Sequence, residues 1–234
     1  ASISLDANRH LAHKDGHLLS VASVIYGTVF HVEQLLKFLP NNSKGFDAGF
    51  TALMIGGSTV SFGLRNRIRE RLSANLYVLY GANECHTACR TGLADVFDSL
   101  GNVGRAFPGF ELQIVDANDV PMPPEQVGQV RIRSKATIDG YLNDAIATSR
   151  AFKHGWFYPG DLGKLTADGQ LIHLGRADDM MIVNGINVYP AEIEQVMASH
   201  PAVQDAAALP LRHPVHQDIP VCAVTLLPNG QANE

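Results

Sequence analysis

An α/β fold is predicted for this 234-residue chain: a parallel sheet with flanking helices, an antiparallel β-barrel-like subdomain, and the start of a small α+β C-terminal domain. Three observations predict it. Short apolar runs alternate with helical patterns to about residue 103. Period-two alternation broken by Pro, Gly, Asn and Asp turns follows to about residue 177. A Pro-started helix then opens the remainder, so the expected divisions are 1–103, 104–177 and 178–234.

HLLSVAS, His17 to Ser23, reads as a buried strand, and TVFHVEQLLKFL, Thr28 to Leu39, as an apolar-striped helix before the polar break PNNSKG. FTALMIGGS repeats the strand-to-turn pattern. In SFGLRNRIRERL, Leu64, Ile68 and Leu72 recur at helical spacing and Ser61 is placed to cap the helix start. That stripe is expected to leave Arg65, Arg67, Arg69 and Arg71 in solvent. NLYVLYG, Asn75 to Gly81, is another buried strand ending in glycine, and such alternation implies a parallel sheet with covered faces.

From about Gly104, PGFELQIVDANDVPMPPEQVGQVRIRS carries strand periodicity. DGYLNDAIATSRAFKHGWFYPGDLGKLTADGQLIHLGR reads as its continuation, with TADGQ turning a hairpin between LGKL and LIHLG. Beyond Arg176 the pattern becomes helical again: Pro190 at a first helical position, Glu192 and Glu194 in the first turn, then Ile193, Val196 and Met197. A boundary is expected near Asp178.

A content of 46% hydrophobic residues is enough for a sizeable core, and a net charge of −5 argues against a polyanion as the main partner. The three cysteines, Cys85, Cys89 and Cys222, form no CxxC pair, which fits a reducing cytoplasm. No apolar run is long enough for a membrane span and the first residues lack a secretory pattern. Cys85, His86 and Cys89 lack the fourth partner of a zinc site. No GxSxG, GxxxxGK[ST] or GxGxxG occurs.

Three motifs carry chemistry in a fixed order: YGANE (Tyr80 to Glu84), GWFYPGDLG (Gly155 to Gly163) and GRADDMMIVNGINVYPAEIE (Gly175 to Glu194). Together they resemble the adenylate-forming enzymes: acyl- and aryl-CoA synthetases, peptide-synthetase adenylation domains and luciferases. The resemblance implies ATP-dependent activation of a carboxylic acid, with pyrophosphate release and then thioester formation on CoA or a carrier-protein pantetheine. ATP or AMP, Mg²⁺ and the thiol are the implied cofactors. The implied partners are a small carboxylic acid and CoA or an acyl or peptidyl carrier protein, with no nucleic acid and no membrane span.

By this resemblance Tyr80 lies against adenine, Gly81 lets backbone approach the nucleotide, Asn83 stands near the phosphates and Glu84 on the magnesium, Asn83 and Glu84 being the catalytic pair. The family usually has Thr where Asn83 stands. Gly56, Gly57 and Ser58 resemble the small-residue turn lining adenine, and Asp161 the aspartate that binds the ribose diol. Pro159 replaces the usual Thr before Gly160. Arg176 corresponds to a ribose or phosphate contact. His173 aligns with a position packed on adenine, although a half-buried strand accommodates a structural histidine equally well; three residues from Arg176, it falls outside that residue's alternate face. Asp178 corresponds to the hinge, Gly185 to the loop lining the thiol tunnel, and Leu79, Ala82, Thr87 and Ala88 to walls of the acyl pocket, whose small or apolar character implies an uncharged acyl tail.

The family's Ser/Thr/Gly-rich phosphate loop ending in lysine and its far C-terminal lysine have no counterpart in these residues. The chain is therefore expected to correspond to the middle portion of such an enzyme and to be an inactive fragment by itself. An acyl-AMP ligase feeding a carrier protein, or an oxidative luciferase-like reaction, shares the first half-reaction. Another reading is a nucleotide-binding pseudoenzyme or regulatory module of the same fold. For the isolated chain, ATP–pyrophosphate exchange is expected to run far below that of a full-length relative; comparable exchange would refute the fragment reading.

Overall fold

The computed structural model describes residues 2–4, 24–39, 52–97, 101–213 and 217–227. The strand expected at His17 to Ser23 and the PNNSKG break lie outside them. Strands β1 (Ser2–Ser4), β2 (Val24–Gly27), β3 (Ala52–Ile55) and β4 (Leu76–Ala82) pair in parallel in that order. Helix α1 (Val29–Phe38) connects β2 towards β3, and α2 (Phe62–Arg71) connects β3 to β4. Their apolar stripes, Val32, Leu35 and Leu36 on α1 and Leu64, Ile68 and Leu72 from α2 to its C-cap, close over Ile25, Leu53, Ile55 and Val78 in one core. Ser61 caps α2 as expected, its Oγ accepting from the Leu64 N–H at 3.2 Å.

Arg65 departs from expectation. It is 1% exposed and donates to the carbonyls of Val60, at 2.8 Å, and Val96, so it ties the loop before α2 to the short 3₁₀ turn at Asp95–Phe97. Burial lowers its pKa to about 10. Arg67 pairs with Glu33 of α1, and Arg71 donates to the Leu36 and Leu39 carbonyls at the end of α1. Arg65, Arg67 and Arg71 therefore each bind one element to another. A helical wheel marks the apolar stripe but not the carbonyls that neighbouring segments present beside it.

Antiparallel pairing begins earlier than the change of texture at Gly104. The chain reverses in a tight turn after Ala82 and returns as β5 (His86–Arg90) against β4. At Gly81 a Cβ would overlap the His86 carbonyl oxygen, so the close approach of the two strands requires glycine. The sheet continues through β6 (Asn102–Ala106), β12 (Leu171–Arg176), β11 (Asp161–Leu165) and β8 (Gly128–Ser134), with β7 (Phe110–Val115) also on β8. Two short strands, β9 (Phe152–Lys153) and β10 (Trp156–Phe157), complete twelve hydrogen-bonded strands among the described residues. The parallel and antiparallel regions are thus one continuous sheet.

Within the segment expected to be β throughout, Ala145–Ala151 forms a helix, α3, capped by Asp144, whose Oδ1 accepts from the Ala147 N–H at 2.8 Å. The cap outweighs the mixed Ala, Thr and Ser content that weakens the periodic signal. The TADGQ hairpin joins β11 and β12 as expected.

A 3₁₀ turn at Ala177–Asp179 leads to a second sheet of four strands: β13 (Met181–Val183), β14 (Ile186–Val188), β15 (Val203–His213) and β16 (Gln217–Leu226), in the order β14-β13-β16-β15. Asn184 and Gly185, with φ of 50° and 83°, make the two-residue hairpin between β13 and β14. Pro190 begins α4 (Pro190–Ala198), which packs on β15 and also touches β12. The buried Asp218 accepts from the Ile182 N–H at 2.8 Å, joining β16 to β13.

Replacing Arg65 with Met is expected to destabilise the protein by about 2–4 kcal/mol, because two buried carbonyls lose their donor. Arg150→Met, at an exposed arginine of α3, is expected to change stability by less than about 0.5 kcal/mol. Urea denaturation compares the two; equal losses would refute the tying role of Arg65.

Candidate nucleotide site

The strand ends bring most of the expected residues to one cavity of about 490 Å³, lined by Gly57, Ser58, Tyr80, Gly81, Ala82, Glu84, Asp161, His173 and Arg176 among others. Its geometry follows from the sheet. β4 carries Tyr80 to the mouth, and the Gly56–Val60 loop after β3 lies beside it, where ligands commonly meet α/β sheets. The antiparallel hairpin β11–β12 supplies the opposite wall, with Asp161 and Arg176 at directly paired positions.

Asp161 is the convergence point. Its Oδ2 accepts from the Tyr80 hydroxyl at 2.6 Å, while its Oδ1 stands 3.4 Å from Arg176 Nη1 and 3.6 Å from His173 Nε2. His173 and Arg176 are three residues apart and would face opposite ways on a regular strand. A register shift between Leu162 and Gly163 resolves this: Leu162 opposes Gly175 and Gly163 opposes His173, leaving Leu174 as the extra residue of a β-bulge. Gly175, at φ 110°, accommodates it. The face reversal brings both side chains to one carboxylate, correcting the alternate-face expectation.

Burial acts to raise the Asp161 carboxyl, but contacts from His173 and Tyr80 and the Arg176 charge outweigh it and hold its pKa below the ordinary range. Burial first, and then the Asp161 charge and hydrogen bond, push Tyr80 well above the usual phenol value, so it remains a donor. The rings of Tyr80 and His173 lie 5.3 Å apart at a 42° tilt. Arg176 also donates to the Pro159 carbonyl, and Gly160, at φ 82°, leaves room for the guanidinium, since a Cβ there would come within 2.8 Å of Nη2. Pro159 thus contributes a backbone acceptor to Arg176.

Glu84 lies at another part of the wall, its Oε1 accepting from the Tyr141 hydroxyl at 2.7 Å. Burial and the Glu84 carboxylate push Tyr141 up to about 12. Sequence reasoning missed Tyr141, whose only signal is an aromatic after glycine in DGYLND. No group of three or more His, Cys, Asp or Glu residues gathers as a metal site among the described residues. Cys85 and Cys89 are buried, and burial with the Cys85 neighbour raises Cys89 to about 12.

A second cavity of about 340 Å³ lies beside the first and includes Tyr26, Gly56, Leu79, Ala82, Asn83, His86 and Thr87. Asn83 faces this cavity rather than the first. Ala88 lines neither: it is fully buried in the core, on the other side of β5 from a wall position. Asp178, with its side chain 76% exposed, and Gly185, at the hairpin tip, also lie outside both cavities. Asp178 Oδ1 is 3.8 Å from Arg176 Nη2.

The family model described as AMP-binding enzyme matches residues 19–142, over half of the chain, and a second, AMP-binding enzyme C-terminal domain, matches residues 192–234. The chain belongs to the AMP-binding enzyme family. This AMP-binding enzyme chain is 30% identical over 197 residues to a long-chain-fatty-acid–CoA ligase of Escherichia coli O6:H1, an alignment covering 83% of the chain and 35% of the relative. It is 29% identical over 232 residues to 4-coumarate–CoA ligase 1 of Glycine max, covering 96% of the chain and 78% of that protein. The solved amide bond synthetase McbA from Marinactinospora thermotolerans superimposes with a TM-score of 0.84 at 27% identity, over 93% of this chain and 46% of that one. The chain thus spans about a third of the E. coli relative and under half of the structural one. No helix among the described residues is long and apolar enough to cross a membrane.

A carboxyl depressed by folding stabilises the protein above its unfolded pKa, about 3.9 for Asp, and loses that contribution as pH falls through its lower folded value. Asp161→Asn is therefore expected to flatten the acid side of the stability curve below about pH 4. Thermal melting across pH checks this, and an unchanged acid limb would contradict the assignment.

Proposed function

We propose that this chain is the nucleotide-binding and hinge portion of an ATP-dependent acid:thiol ligase. The observation that carries the reading is the convergence of Tyr80, His173 and Arg176 on the Asp161 carboxylate at the wall of one cavity. A carboxylate that is ionised and held in place accepts from both hydroxyls of a ribose diol. The Tyr80 and His173 rings offer a face to a purine, and Gly57 and Ser58 offer small-residue backbone beside it. Arg176 supplies a fixed cation at the same wall, suited to ribose or phosphate oxygens.

In the first half-reaction the acid's carboxylate oxygen bonds to the α-phosphorus of ATP, and the bond to the bridging oxygen of pyrophosphate breaks. In the second, a thiolate attacks the acyl carbon and AMP leaves. Glu84 fits a magnesium ion, which commonly takes one carboxylate together with phosphates and water. Bound there, the ion would neutralise phosphate charge. Tyr141 holds the Glu84 carboxylate, and Asn83 offers an amide donor near the shared edge of the two cavities. The fatty-acid and coumarate relatives bear CoA ligase names, which favours CoA over a carrier-protein pantetheine as the thiol.

Asp178 serves as hinge in this reading: it lies in the short turn between the two sheets, with its side chain exposed. Gly185 would reach the site after rotation about that turn, its narrow hairpin leaving passage for a thiol arm. In this reading 1–103 holds the α/β part together with the first antiparallel strand, β5, while 104–177 is the rest of the antiparallel part and 178–234 the portion that rotates. A cytoplasmic setting suits the ATP, CoA and free cysteines this reading needs. The isolated 234-residue chain is expected to turn over poorly, because its sequence has neither the phosphate loop nor the adenylation lysine.

Calorimetric titration of the chain with AMP tests the reading without requiring turnover. AMP is expected to bind, and Asp161→Ala and Arg176→Ala each to weaken it by about tenfold or more, the loss of charge-assisted hydrogen bonds. Binding unaffected by either change, or absent from the folded protein, would overturn the proposal.

A further inference from the structure

The second cavity bears on the choice of acid, given the nucleotide site proposed above. The two cavities share Gly57, Leu79, Tyr80, Gly81 and Ala82, so an acyl-adenylate with its nucleotide in the first extends its acyl group into the second. The described residues bound about 340 Å³ of that space, at the small end of ligand pockets, about 300–1,000 Å³. It suits a compact acid better than a long tail.

Its chemistry is more specific than its size. Gly56 and Leu79 form a floor on which a Cβ added at Gly56 would stand 3.4 Å from Leu79 and 3.7 Å from the Tyr26 hydroxyl. A glycine floor beside a tyrosine hydroxyl admits a flat group closely. Around it stand Tyr26, Asn83, His86 and Thr87, four side chains able to hydrogen-bond. Among the described residues none of these four side chains is engaged in a hydrogen bond. Among the described residues no Asp, Glu, Lys or Arg lines the cavity, so apart from His86 none of them offers a charge to pair with a second one on the acid.

We infer that this cavity selects a hydroxylated aromatic acid, its ring on the Gly56–Leu79 floor and its hydroxyl bonded to the polar rim, with Tyr26 and Thr87 as specificity-determining residues. A plain aryl acid fills the same floor but leaves the rim unpaired, and a long alkyl chain matches neither the volume nor the rim.

Sulfamate analogues of acyl-adenylates, which cannot transfer their acyl group, test this by calorimetry on the full chain. The panel comprises ortho-, meta- and para-hydroxybenzoyl, benzoyl, para-carboxybenzoyl and hexadecanoyl forms. At least one hydroxybenzoyl analogue is expected to bind about tenfold more tightly than benzoyl, the worth of one neutral hydrogen bond. The carboxybenzoyl and hexadecanoyl forms should bind more weakly than benzoyl. In the Tyr26→Phe/Thr87→Val double variant, shown by circular dichroism to be folded, the hydroxybenzoyl-to-benzoyl ratio should fall towards one. Equal binding of all aryl analogues, tightest binding of the hexadecanoyl form, or a ratio unchanged in the double variant would overturn the inference while leaving the nucleotide reading intact. Failure of every analogue and of AMP to bind would overturn both.

Discussion

The β-bulge at Leu174 is the constraint on which the candidate site depends. Without it the β11–β12 hairpin would present His173 on one face and Arg176 on the other, and only one of them could reach Asp161. With it, the carboxylate gains a cation and an imidazole on one oxygen and the Tyr80 phenol on the other. Tyr80 comes from the parallel part of the sheet and Asp161 from the antiparallel part, 81 residues later in the chain. The same contact that forms the site therefore joins the two halves of the sheet.

Glycines make this junction possible where backbones or side chains come too close for a Cβ. Gly81 permits β5 to turn back on β4 directly after Tyr80, and Gly160 leaves space for Arg176 to reach the Pro159 carbonyl. Arg65 steadies the other wall by binding the carbonyls on either side of it, so the loop after β3 is fixed from below by a buried cation. Two cavities result, adjoining at Gly57 and the end of β4. One is ringed by charged and aromatic groups, the other by tyrosine, asparagine, histidine and threonine side chains, a division that suits the proposed acyl-adenylate.

Much of this was legible in the sequence because local rules governed it. The stripes of α1 and α2, the Ser61 cap, the β11–β12 hairpin and Pro190 at the start of α4 depend on residues a few positions apart. Family membership was likewise legible, since YGANE, PGDLG and GRADD occur in order with the right residue types. Less local features were not. Arg65 looked like its surface neighbours because no periodic rule reports a carbonyl 31 residues away. Ala88 looked like a wall residue beside Thr87, yet the pleat turns it into the core. Tyr141 carries no motif, and its bond to Glu84 spans 57 residues.

By itself, then, the sequence determined the order of elements, the helix caps and turns, the family and the residue types available for chemistry, because each follows from short-range periodicity or from a contiguous motif. Only the tertiary structure decided which of those residues meet. One inserted residue in β12 reversed the facing of a side chain, and the pairing of β4 with β5 and of β6 with β12 brought distant strand ends into a single wall. Register and face are set by hydrogen bonding between strands far apart in the chain, and no pattern along one strand contains that information.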